Sequence, residues 1–116
     1  MKFVDNRPIY VQISEDIKGQ LATGSLVAAE KLPSIREYSV KYSVTALTMQ
    51  RALALLESEG IIQTKKGVGS FIMEGIGQKV KAQMLSAEVK AFISQLKKIG
   101  LSGDEIINAV KEGLHE

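Results

Sequence analysis

Two short β-prone runs, Ile61-Ile62-Gln63-Thr64 and Ser70-Phe71-Ile72-Met73, flank a basic, glycine-containing stretch, Lys65-Lys66-Gly67-Val68-Gly69, in a chain whose remaining pattern is helical. Such runs on either side of a glycine-bearing turn read as a hairpin. An isolated two-stranded hairpin is marginal in water and has to lie against helices. The chain is therefore confined to a helical domain that carries one hairpin, and 116 residues leave space for one such domain and a small appendage.

Three helices are predicted before the hairpin. The first begins at Pro8, since proline suits a first helical turn, and Ile9, Ile13, Ile17 and Leu21 recur every four residues as its buried stripe until Gly24 ends it. Ser34 and Glu37 form a capping box that opens a short second helix ending near Tyr42. After a tight turn, Thr45 caps a third helix that Gly60 terminates, with Met49, Ala52, Leu53 and Leu56 facing the core.

Beyond Gly75-Ile76-Gly77 the helical pattern returns, with Leu85, Val89, Phe92, Ile93, Leu96 and Ile99 on one face and Gly100 as its stop. Ser102 and Glu105 form a second capping box, and Leu101 is placed to staple onto Ile106. Ile106, Ile107, Val110 and Leu114 line the last helix. The expected fold class is α+β, mainly helical, with residues 1–76 as one domain and 77–116 as a two-helix tail.

Composition removes several functions. There is no cysteine, and the lone histidine is His115, so the usual nucleophile, base and thiolate-metal constellations cannot be assembled. The 13 carboxylates fall mostly where caps and solvated faces put them, Glu88, Asp104, Glu105 and Glu112 among them. No enzyme, cofactor or metal site is expected. The opening residues lack the apolar core of a signal peptide, and no run approaches the ~20 apolar residues of a membrane span, so a cytoplasmic location without membrane attachment is expected. Net charge is only +2, so any nucleic-acid surface must be a local patch.

Three helices and then a hairpin is the order of a winged helix-turn-helix, whose third helix enters the major groove of DNA. Leu32-Pro33-Ser34-Ile35-Arg36-Glu37, Leu56-Glu57-Ser58-Glu59-Gly60-Ile61-Ile62 and Lys66-Gly67-Val68-Gly69-Ser70-Phe71 resemble hallmark stretches of the GntR family of bacterial transcription regulators. Pro8-Ile9-Tyr10-Val11-Gln12-Ile13, Gln50-Arg51-Ala52 and the two-helix tail resemble its YtrA-like subfamily, whose members lack a large effector domain. The resemblance implies DNA contact by Arg36, by Thr45, Thr48 and Gln50 at the start of the third helix, and by Lys65, Lys66 and Gly67 at the wing. It also implies a homodimer, more readily a repressor than an activator, on a two-fold symmetric operator in double-stranded DNA that controls a neighbouring transporter operon. The chain departs from the subfamily at Thr45-Ala46-Leu47, where asparagines and a proline are common, and at Ala28-Ala29-Glu30-Lys31, where the family usually has Pro-Gly.

Each reading has a plainer rival. Arg36 near a helix N-terminus is poorly placed for a cation unless a phosphate approaches, the rival being a surface ion pair with a nearby glutamate. Lys65 and Lys66 either meet phosphates or solubilise a hairpin tip. Leu47 either covers a thymine methyl, with Gln50 reading an adenine in an A·T-rich half-site, or packs on the second helix. Tyr10, Tyr38 and Tyr42 read as half-buried packing residues. Leu85, Val89, Phe92, Leu96, Ile106 and Val110 are assigned to dimerisation, the rival being a tail folded back on its own domain. At the level of function, the alternative is a winged-helix protein-interaction module that does not read DNA. No effector is specified by the residues.

Overall fold

A computed structural model describes Phe3 and residues 6–116; the sequence reading of the opening residues falls partly outside the described ones. The element order is α1 (Ile9–Thr23), α2 (Ile35–Tyr42), α3 (Ala46–Ser58), β1 (Ile62–Lys65), β2 (Gly69–Ile72), α4 (Ile76–Lys98) and α5 (Gly103–Leu114). This is a mainly helical α+β chain with one antiparallel hairpin, as expected. Packing divides it into a unit that ends at Lys81 and a second unit, Ala82–Glu116. The division falls inside α4, later than the glycines at 75 and 77, because Val80 is buried in the first unit and α4 starts beside α1, with the Leu21 carbonyl 3.7 Å from where a Gly77 Cβ would stand.

In the first unit α1 crosses α3, and α2 packs on α3 as well. Ile13, Ile17 and Leu21 of α1 meet a core that holds Met49, Ala52, Leu53 and Leu56 of α3, all buried. Ile9, the fourth member of the expected stripe, is 44% exposed, since it occupies the helix's first residue at the edge of the core. Tyr38 and Tyr42 are fully buried, deeper than expected, with ring centroids 5.7 Å apart. Tyr42 donates to Asp16 Oδ2 at 2.7 Å, tying α2 to α1. Burial and that bond push the Tyr42 hydroxyl well above its ordinary pKa, and burial pushes Tyr38 up to about 12.

The turn between α2 and α3 is set by Ser43, whose left-handed backbone (φ 56°) lets its N–H reach Val40 O while the Val44 N–H reaches Ser39 O. Glycine is the usual residue there. At the end of α3, Gly60 (φ 75°) takes that role, with Ile61 N–H donating to Leu56 O at 3.0 Å and both side chains buried. This Schellman closure turns the chain directly into β1.

The hairpin pairs Ile62 with Ile72 and Lys65 with Gly69, and Ile62 and Ile72 supply its buried face. A third edge, absent from the sequence expectation, runs along β2. Ala29 N–H donates to Ile72 O, Ile72 N–H to Glu30 O and Leu32 N–H to Ser70 O, at 2.9–3.0 Å, with Lys31 bridged to Phe71. The segment Ala28-Ala29-Glu30-Lys31 thus carries the left-handed Ala29 (φ 65°) and covers the outer edge of β2 in the two-stranded sheet.

The second unit holds most of α4 and all of α5. Gly100 closes α4 by a second Schellman arrangement, Leu101 N–H to Leu96 O, and Ser102 with Glu105 forms the expected capping box on α5. Leu85, Val89, Phe92, Ile99, Ile107, Val110 and Leu114 are exposed, whereas Ile106 is buried within the chain itself. Of the residues assigned to dimerisation, Ile106 is therefore occupied inside the protomer.

Candidate nucleic-acid interface

Leu32-Pro33-Ser34 leads the chain into α2 so that Ser34 caps it, its Oγ accepting the Glu37 N–H at 3.1 Å while Glu37 Oε1 accepts the Ser34 N–H at 3.2 Å. Those bonds, first the one from the Ser34 backbone, hold the Glu37 carboxyl below its ordinary pKa. Arg36 is the second helical residue, exposed, and has no ion-pair or hydrogen-bond partner among the described residues. A glutamate partner, the rival reading of Arg36, is not formed. A free guanidinium is thus displayed beside unsatisfied N–H groups at the positive end of a helix dipole, an arrangement that an incoming phosphate relieves.

α3 starts with Thr45, whose Oγ1 accepts the Thr48 N–H at 3.1 Å and donates to Thr48 Oγ1 at 2.9 Å. The Thr45 hydroxyl is therefore committed to the cap, and Thr48 keeps a free O–H. Leu47 is 58% exposed and lies outside the buried core. Gln50, Arg51 and Ala54 share its exposed face. Arg51 was passed over by sequence reading as a site residue, although it stands four residues after Leu47, the spacing that puts two side chains on one helix face.

In the wing, Val68 N–H donates to Lys65 O at 2.9 Å, and Gly67 has the positive φ (77°) that the third position of a type II turn needs. The two lysines separate here. Lys65 Nζ lies 5.0 Å from the centroid of Phe71, while Lys66 stands free at the tip. The wing is braced at its base, where Thr64 N–H donates to Glu57 Oε2 of α3 at 2.8 Å and the Lys31 side chain crosses Gly69. The start of α2, α3 and the wing border one groove of about 580 Å³, lined by Ser34, Ile35, Leu53, Thr64 and Ser70.

A capped helix displaying an arginine, a second helix with an exposed face and a lysine-tipped hairpin define a winged helix-turn-helix DNA-binding protein. No helix of the described residues is long and apolar enough to cross a membrane, and they contain no cluster of three metal-binding side chains.

Residues 9–72 match the model of the bacterial regulatory proteins, gntR family. Two relatives come from Bacillus subtilis strain 168. The HTH-type transcriptional regulator YhcF is 33% identical over 112 residues, covering 95% of this chain and 93% of that protein. The HTH-type transcriptional repressor YtrA is 31% identical over 108 residues, covering 90% and 83%. Among solved structures, a GntR family transcriptional regulator from Listeria monocytogenes superposes with a TM-score of 0.89 at 36% identity, covering 95% of this chain and 98% of that one. The chain belongs to the GntR family, is YtrA-like, and is a DNA-binding transcription regulator rather than an enzyme.

Proposed function

We propose that this chain is a cytoplasmic repressor that binds a two-fold symmetric operator as a homodimer, its second unit joining the protomers and its winged unit contacting DNA. The observation that carries the DNA-binding half is a set of exposed groups on the winged unit: Arg36 and Lys66, which have no partner among the described residues, and the head of α3. In this reading Arg36, Lys66 and the Thr48 hydroxyl hold phosphates, Gly67 brings the wing backbone close to the duplex, and Leu47 with Gln50 reads bases. Thr45 supports the site by capping α3, and Lys65 adds charge behind the tip. The exposed apolar faces of α4 and α5 support the homodimer, and the repressor named among the relatives supports the sign of regulation. The subfamily resemblance extends the proposal to control of a neighbouring transporter operon.

The test is the salt dependence of DNA binding. Phosphate contacts release counterions without reading bases, so Arg36→Ala and Lys66→Ala are each expected to weaken binding to every sequence and to lower the slope of log K against log salt by about one. Lys65→Ala is expected to have a smaller effect, since its ammonium sits against Phe71. Unchanged slopes in the first two variants would falsify the phosphate assignments.

A further inference from the structure

The first three turns of α3 contain a single charged side chain, Arg51. It is exposed and has no partner among the described residues. Its neighbours three and four positions away are Leu47, Thr48, Ala54 and Leu55, so no ion pair along the helix is available to it. Nor does it fill the core, which α3 meets through Met49, Ala52, Leu53 and Leu56.

Its direction is informative. At about 100° per residue, the side opposite the mean direction of those four buried residues lies between Leu47 and Arg51, each within about 30° of it, with Gln50 about 70° away. Ala54 stands equally close on the other side, so the residues pointing out of the domain are Leu47, Arg51 and Ala54, and among them only the arginine carries hydrogen-bond donors. Helical side chains lean toward the N-terminus and cover the turn before their own Cα, so the guanidinium of residue 51 is carried over the turn of Leu47 and Thr48. That is the end of the helix a winged domain inserts into the major groove. Ala46 and Leu47 bring no hydrogen-bonding side chain to that end, and a long donor from one turn further along the helix supplies one.

We propose that Arg51 is a specificity-determining residue, donating in bidentate fashion to O6 and N7 of one guanine beside the base pair covered by Leu47. Its central position on the helix favours bases over phosphates, which meet the flanks of a reading helix. This rests on the reading that α3 enters the major groove. The half-site then contains a single guanine within an otherwise A·T-rich sequence.

The experiment uses the full chain and its Arg51→Ala and Arg51→Lys variants, all checked by thermal melting. Binding selection on the parent is expected to return half-sites with one invariant guanine, and Arg51→Ala is expected to lose preference at that position alone. Arg51→Lys, which keeps the charge but not the fork, is expected to recover affinity without the full preference. Replacing the guanine by 7-deazaguanine removes the N7 acceptor and is expected to weaken the parent roughly tenfold while leaving Arg51→Ala indifferent. If Arg51→Ala keeps the guanine preference, or loses affinity equally for all sequences with a salt slope lowered by one, the arginine is not a base reader. If the parent itself selects no consensus, α3 does not read DNA, and the proposal falls with the reading beneath it.

Discussion

Leu47 presents an apolar side chain where a reading helix ordinarily offers hydrogen bonds, and it is 58% exposed. In the major groove the one apolar group that distinguishes bases is the thymine methyl. Replacing thymine by uracil at the contacted position deletes that methyl and is expected to cost the parent ~1 kcal/mol, while Leu47→Ala becomes indifferent to the change. Titration of both proteins against the two duplexes decides it. An equal response from parent and variant would leave Leu47 facing solvent only. The neighbouring threonines show how a site residue acquires a role that sequence does not display. Thr45 and Thr48 look equivalent as phosphate donors in the chain, yet the cap consumes the Thr45 hydroxyl and leaves the Thr48 proton free.

Helix boundaries are the most legible elements of this chain because their causes are local. Ser34 with Glu37, Thr45, Ser102 with Glu105, and the glycines at 24, 60 and 100 each act within one turn, and the ends of the helices follow them. The capping box of α2 also makes a pH prediction. The folded-state pKa of Glu37 is depressed, so its contribution is present above the unfolded-state value and is lost in the acid window where pH falls from that value through the lower folded one. Glu37→Gln keeps the reciprocal bond to the Ser34 N–H but cannot titrate. Urea midpoints of parent and variant are expected to converge as pH drops through that window; a constant gap would show that the carboxylate charge contributes nothing to the cap. The third sheet edge was not legible, since Ala29 to Leu32 joins β2 through backbone groups that any sequence carries, and the left-handed turn that permits it falls on an alanine. Arg51 was missed for a different reason. It entered the sequence reading only as part of the Gln50-Arg51-Ala52 resemblance, with no role attached, whereas the signal for its role is its angle to the buried residues of its own helix.

At the scale of the molecule, two units share α4, and their surfaces differ in kind. The unit ending at Lys81 holds fourteen of the fifteen buried apolar side chains among the described residues and leaves Ile9, Val27, Val40, Leu47, Val68 and Met73 scattered on its surface, while Ala82–Glu116 buries only Ile106 and leaves Leu85, Val89, Phe92, Ile99, Ile107, Val110 and Leu114 exposed. Single exposed apolar residues are ordinary, but seven within 35 residues, spaced to recur on helical faces, form a surface that water disfavours and a second copy covers. The variants that test this must spare Val80 and Ile106, both buried within the chain. Leu85→Glu with Phe92→Glu alters exposed positions only, so the protomer is expected to fold and to sediment as a monomer at concentrations where the parent is a dimer. Its winged unit still meets one half-site, yet it no longer gains the effective concentration of a linked partner. Affinity for a full palindrome is therefore expected to fall roughly 10²- to 10⁴-fold, while binding to an isolated half-site stays unchanged. A chain ending at Lys81 is expected to behave like the double variant, because the packing boundary lies there and not at Gly77. Dimers of undiminished strength from both proteins would assign association to the winged unit instead. A monomeric double variant with unchanged affinity for the palindrome would show that the two half-sites are bound independently.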